Sequence, residues 1–207
     1  MASTEALKAV RVPVGPMRNL DYLLVDKESG EAIAVDSGWE TAPLIRAAKN
    51  EDARVLYVVA THHHFDHTAT IRELAQKLGS KLVAHRNSDI GPDVLVDDGD
   101  VLTLGKKTVR VIYTPGHTTD SICLYDGQKV FTGDTLFIGN CGRTDLPGGS
   151  PDEMYHSLHE VLAKLPPATM IYPGHDYGDV PSRTLGEETK SNPTLLAKTL
   201  EEFLGVE

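Results

Sequence analysis

Cysteine and positive charge are both scarce in this chain, and long apolar runs are missing. Only Cys123 and Cys141 stand among 207 residues, too few for a disulfide scaffold, and a chain of this length folds around its own core without one. Reduced thiols and a cytoplasmic protein are therefore expected. Lysine and arginine number 20 against 30 aspartates and glutamates, a formal net charge of −10. No stretch forms the basic stripe that neutralises phosphates, so no nucleic-acid partner is expected. The acidic cluster Asp97-Asp98-Gly99-Asp100 reads as a solvated turn. No apolar run approaches the roughly 18–20 residues of a transmembrane helix, and the opening MASTEALKAVRV has neither the basic start nor the apolar stretch of a secretory signal. No membrane partner is expected either. With 40% hydrophobic and 24% charged residues the composition is that of an ordinary globular chain, read as one domain over residues 1–207, monomeric or homodimeric.

Strand patterns and turn residues alternate through the first half. KAVRVPV (Lys8–Val14), NLDYLLV (Asn19–Val25) and Ala32–Val35 predict strands, and Ala42 to Lys49 predicts a helix. RVLYVVA (Arg54–Ala60) is a nearly continuous β-branched and aromatic run, the pattern of a strand buried on both faces. A helix follows at Ala69–Leu78, stopped by Gly79. In the second half, strands are predicted at Lys81–Ala84, Val94–Val96, Val101–Leu104, Thr108–Tyr113, Ser121–Tyr125, Val130–Thr132 and Thr169–Tyr172. Ser150-Pro151-Asp152-Glu153 caps a helix running to Lys164, and a closing helix is predicted from Asn192-Pro193 to Leu204. Two β-rich halves, each finished by helices, imply an α/β sandwich with sheet packed on sheet and helices outside.

Histidine is what the chain has in excess: nine, three of them consecutive in Thr61-His62-His63-His64-Phe65-Asp66-His67. The segment follows a buried strand and precedes a helix, so rigid elements hold it. Residues two apart in an extended segment point the same way. His62 and His64 therefore converge on one point, His63 turns away, and Asp66 and His67 aim at a second point. Imidazole and carboxylate suit Zn, Fe, Mn or Co at about 2.0–2.2 Å, and a stable site needs about four donors. Three further donors each stand at a predicted strand end behind a glycine: His117 in TPGHT, Asp134 in TGDT and His175 in PGHD. Together they make a two-metal set, with His62, His64 and His117 on one ion, Asp66, His67 and His175 on the other, and Asp134 bridging. Two divalent ions about 3.5–4 Å apart, zinc foremost with iron or manganese also suited, would hold a bridging hydroxide and polarise a carbonyl or phosphoryl oxygen. Asp66 would also help orient that hydroxide.

THHHFDH, TPGHT, FTGDTLF and YPGHDYG, in this order, resemble the metallo-β-lactamase-fold superfamily with its HxHxDH signature, over about Leu20 to Pro193. The resemblance implies an αββα sandwich, two mixed sheets flanked by helices, with the metal site on one edge. Two branches share these motifs. THHHFDH and GDTLF resemble glyoxalase II, which hydrolyses the S-D-lactoylglutathione thioester. Cys141-Gly142-Arg143-Thr144-Asp145-Leu146 and the tail from His175-Asp176-Tyr177-Gly178 to Asn192-Pro193 resemble the persulfide dioxygenases, which oxidise glutathione persulfide at a single iron, here held by His62, His117 and Asp134. Arg143 and Asp145 replace the basic residue and tyrosine typical of glyoxalase II, and most of that family's helical C-terminal extension is missing.

The expected function is thus a metal-dependent thioester hydrolase of the glyoxalase II type, acting on a small thiol-derived substrate such as a glutathione conjugate. The alternative is a mononuclear iron persulfide dioxygenase, followed by hydrolysis of lactones, phosphoesters or β-lactams, and then by a non-catalytic metal-binding module. Arg143 is read either as a clamp for a substrate carboxylate or as the ion-pair partner of Asp145. Tyr177 matches a glutathione-contacting tyrosine or is a buried, hydrogen-bonded one. Cys141 is read as a packed thiol, and His156 and His159 carry no assigned role.

Overall fold

A computed structural model describes residues 6–206. Its first sheet takes strands in chain order: β1 (Lys8–Val14), β2 (Asn19–Asp26), β3 (Glu31–Val35), β4 (Arg54–Val59), β5 (Lys81–His85) and β6 (Val94–Val96). The first three are antiparallel and the last four run parallel. The second sheet runs from β7 (Val101–Leu104) through β8 (Lys107–Tyr113), β9 (Ile122–Tyr125), β10 (Lys129–Gly133) and β11 (Met170–Pro173) to the short β12 (Arg183–Thr184). Its one parallel pair is β10 with β11.

Alternation along the strands explains the layering. Leu20, Tyr22 and Leu24 of β2 face the second sheet and pack with Val109, Val111, Leu124 and Phe131. Leu23 and Val25 face the other way, beneath α1 (Ala42–Asn50) and, beyond the turn α2 (Phe65–Thr68), α3 (Ile71–Leu78). Burying each such side chain stabilises the fold by about 1.5–3 kcal/mol. Outside the second sheet, α4 (Pro151–His156) and the turn that continues it pack Met154 and Leu158 onto Ile112, Val130 and Ile171. Two mixed sheets flanked by helices form the α/β sandwich that the motifs implied. Among the described residues, no helix is long and apolar enough to cross a membrane.

Most strands fall within a residue or two of their expected positions, while the helices differ more. The segment after β4 divides, because α2 closes before α3 starts. Beyond α4 the helix continues as a π turn over Ser157–Val161 and a 3₁₀ turn over Leu162–Lys164. At Ser157 the hydroxyl reaches back to the Pro115 carbonyl at 2.6 Å, tying the helix to the loop that carries His117. The expected closing helix is two short pieces, α6 (Pro193–Leu196) and α7 (Leu200–Leu204), the second restarted by a Thr199 cap on the Glu202 amide. Ahead of them lies an unexpected helix, α5 (Leu185–Ser191), opened by a Thr184–Glu187 capping box.

Candidate metal centre

The loops that leave the C-terminal ends of β4, β8, β10 and β11 meet at one edge of the sandwich. The Ile122 amide donates to the Thr61 carbonyl at 2.9 Å, stitching the two sheets together there. Parallel pairing sets Gly133 beside Pro173, which brings Asp134 and His175 together. Glycine is required on two of these turns. Gly116 has φ +138°, and a Cβ on it would sit 2.4 Å from the Met154 backbone. A Cβ on Gly174 would lie 2.5 Å from Asp134 Oδ1, so a side chain there would fill the site itself.

All seven expected donors converge. Three overlapping groups have donor atoms within 4.8 Å of one another: His62, His64 and His117; His62, His67 and Asp134; and Asp66, His67 and His175. Asp134 lies between the two lobes, its carboxylate 3.3 Å from His67 Nε2, 3.2 Å from His175 Nε2 and 3.7 Å from His117 Nε2.

Four imidazoles have their outer nitrogen anchored. His67 Nδ1 lies 2.9 Å from Asp36 Oδ2, His117 Nδ1 2.7 Å from the Arg143 carbonyl and His175 Nδ1 2.9 Å from the Met17 carbonyl. At His62 the partner is Thr61 Oγ1, 3.1 Å from Nδ1. That hydroxyl spends its proton on Asp36, so its oxygen accepts from the ring. These contacts put the proton on Nδ1 and turn Nε2 inward, the arrangement that orients a metal-binding histidine.

The inward atoms are short of partners. His62 Nε2 and Asp134 Oδ1 are buried without a hydrogen bond. His64 Nδ1 faces His117 Nε2 at 2.9 Å, and His67 Nε2 faces His175 Nε2 at 3.2 Å. Ring nitrogens that face one another across a buried space beside ionised carboxylates fit a cation between them, proton or metal. The electrostatics agree. Burial disfavours a charged His67, yet Asp134 and Asp36 outweigh it and raise its pKa well above the histidine range. Burial likewise opposes a charged His175, but Asp134 and Asp66 push it up to about 9. Asp66 resists its own burial through His175, the His67 charge and the Asn19 amide, and is held at about 2. His64 moves the other way, to about 4, through burial and the neighbouring His117 and His63. Carboxylates that stay ionised when buried and draw positive charge onto their neighbours make a cation site.

Two supporting residues escaped the sequence reading. Asp36, with φ +62°, ends β3 and accepts from the Thr61 amide at 2.7 Å as well as from the Thr61 hydroxyl and His67. Asn19 donates to the Asp66 carbonyl at 3.0 Å and to its carboxylate at 2.9 Å, and accepts from the Trp39 indole at 2.8 Å. A polar residue opening an otherwise apolar strand, and a carboxylate closing one, were the available signals.

A cavity of about 910 Å³ opens over the donors, walled by Met17, Phe65, Phe137, Ile138, Leu146 and Tyr177. Arg143 stands on its lining, in a two-pronged ion pair with Asp145 at 2.5 and 2.6 Å, so the ion-pair reading holds in this structure. Tyr177 is 49% exposed and stacks on His175 with ring centroids 4.7 Å apart, so of its two readings the buried, hydrogen-bonded one does not hold. Cys141 is buried beside the cavity, and neither cysteine is in a disulfide. His63, off the donor set as expected, pairs with Asp120 at 2.7 Å. His159 reaches the Thr194 carbonyl at 3.0 Å, away from the cavity.

Residues 15–175 match the metallo-beta-lactamase superfamily. The chain belongs to that superfamily. Within it, the chain is 39% identical over 189 residues to the mitochondrial persulfide dioxygenase ETHE1 of Homo sapiens, covering 89% of this chain and 74% of that protein. It is 35% identical over 185 residues to the hydroxyacylglutathione hydrolase of Pelagibacter ubique, covering 87% and 76%. The crystal structure of ETHE1 from Myxococcus xanthus superposes with a TM-score of 0.90 at 32% identity, covering 96% of this chain and 89% of that one. Together with the donor clusters, superfamily membership implies divalent metal ions.

Proposed function

We propose that the protein is a metal-dependent hydrolase of a small thioester, with His62, His64 and His117 holding one divalent ion, Asp66, His67 and His175 a second, and Asp134 shared between them. The observation that carries this reading is the set of overlapping donor groups, with His62, His64 and His117 at one end, Asp66, His67 and His175 at the other, and Asp134 grouped with His62 and His67 between them. When bound, such ions supply Lewis-acid polarisation of a carbonyl and a water of lowered pKa. The chain supplies the rest. Asn19 fixes the Asp66 carboxylate, which His175, the His67 charge and Asn19 together keep ionised, so that it can accept a hydrogen bond from a water while it serves as a metal ligand. Phe137, Ile138 and Leu146 exclude bulk water from one side of the cavity. Arg143 and Tyr177, on the lining, contact the thiol portion of the substrate, a glutathione conjugate or a molecule of similar size.

Relatives support a second reading. Similarity to a persulfide dioxygenase in sequence and to ETHE1 in structure supports a dioxygenase reading, in which His62, His117 and Asp134 would hold a single iron. Two assays separate the readings. Metal-replete protein should hydrolyse S-D-lactoylglutathione well above a His117→Ala control, without taking up oxygen. Absence of thioester hydrolysis together with oxygen uptake on glutathione persulfide would replace the hydrolase with the dioxygenase.

A further inference from the structure

One wall of the cavity is the tight turn from Leu136 to Cys141, closed by a bridge between those two residues and by the Phe137 amide donating to the Asn140 carbonyl at 2.9 Å. All five residues of 137–141 line the cavity. A turn this short leaves backbone groups that its own fold does not pair, and they need partners elsewhere. The C-terminal segment provides them. Glu188 on α5 is fully buried, and its Oε2 accepts from the Gly139 amide at 2.8 Å and from Asn192 Nδ2 at 2.9 Å. Asn192, equally buried, donates from the same amide to the Asn140 carbonyl at 3.1 Å and the Phe137 carbonyl at 3.4 Å. Arg183 of β12 neutralises Glu188 at 3.0 Å and is held in turn by Asp179 at 2.9 Å.

A buried carboxylate is unfavourable unless paired, and apolar side chains would stabilise the helix contact at least as well. What the carboxylate and amide add is direction: three backbone groups of the turn are met at fixed distances. On its inner side the turn presents Phe137, whose ring stands edge-on to His175 at 5.9 Å and to Tyr177 at 5.4 Å. The brace therefore runs from the C-terminal helix, through the turn, to the ring beside a donor histidine.

We propose that Glu188 and Asn192 are positioning residues for substrate, holding the 137–141 turn so that Phe137 and Ile138 form the wall against which the bound molecule packs. The inference rests on this cavity being the substrate site and is independent of which reaction takes place there. The experiment compares metal-loaded wild type with Asn192→Ala, Glu188→Gln and the charge-conserving Arg183→Lys, by hydrogen exchange of the 137–141 peptide and by KM on whichever of S-D-lactoylglutathione or glutathione persulfide the wild type turns over. Asn192→Ala and Glu188→Gln should speed exchange of that peptide about tenfold and raise KM about five- to tenfold. Both should hold kcat within about twofold and leave metal per chain unchanged, with Arg183→Lys close to wild type. Should Asn192→Ala fail to fold, the isosteric Glu188→Gln decides. Unchanged exchange, or faster exchange with unchanged KM, overturns the proposal. If the wild type turns over neither probe, the hydrolase and dioxygenase readings both fall, and calorimetric binding of S-hexylglutathione decides this one. Weaker binding in the two variants supports it; equal binding, or none to the wild type, overturns it.

Discussion

The floor and the wall of the cavity are built on different principles. On the floor, His62, His67, His117 and His175 each have the outer ring nitrogen anchored, and Asn19 secures Asp66. Little there can move without breaking a buried contact. Part of the wall stands freer: Phe65 is 62% exposed, Tyr177 is half exposed, and Arg143 extends on the surface with Asp145, while Phe137 and Ile138 are buried. The backbone of the 137–141 turn is pinned from behind. On the proposed function, the rigid donors would set the chemistry and the more exposed side chains the choice of molecule.

The largest test of that contrast is Asp134→Ala. Removing the donor shared by both clusters should deplete metal from both together and lower activity by more than about a hundredfold, read by elemental analysis and turnover. Loss from one cluster alone would mean that Asp134 is not shared. Next in size is Asp36→Asn, which touches no inward-facing atom yet should weaken metal affinity by about 10- to 100-fold in chelator competition, as the loss of an outer anchor does. Unchanged affinity would show that the His67 ring is fixed by packing alone.

Asp21 lies beneath the floor on β2, buried, with neither carboxylate oxygen hydrogen-bonded. Burial and the nearby Asp36 hold its pKa well above the usual carboxylate range, with His67 pulling against them. A raised folded-state pKa means that the folded chain binds this proton more tightly than the unfolded one. Stability therefore falls as pH rises from about 4 through the folded value. Asp21→Asn should flatten that dependence and stabilise the protein at neutral pH by about 1–3 kcal/mol, seen as a higher Tm with metal content unaltered. A lower Tm would reveal a partner for the carboxylate in solution. The smallest effects belong to the wall. Tyr177→Ala and Arg143→Ala should raise KM about two- to tenfold while Tm and metal per chain stay at wild-type values, and any loss of metal would erase the distinction between wall and floor.

Donors were legible where a buried strand runs directly into a turn. RVLYVVA before THHHFDH and Val130–Thr132 before Gly133-Asp134 announce both the strand and the place where it stops, and glycine at 116 and 174 marks where the backbone must pass closely. Asp36 and Asn19 were marked only by their place at strand ends, which is ordinary for a polar residue near a turn, and their importance lies in contacts to residues distant in sequence. The C-terminal helices were misread for a similar reason. Asn192 caps α6 while its amide reaches into the 137–141 turn, and Thr199 restarts the chain as α7. Local periodicity does not carry contacts of that range.

Metal stoichiometry tests the central claim most directly. Protein purified without added metal should carry about two divalent ions per chain, both lost together in Asp134→Ala. A single iron per chain, unchanged by supplying zinc and accompanied by persulfide-dependent oxygen uptake, would contradict the two-metal hydrolase and establish the mononuclear reading in its place.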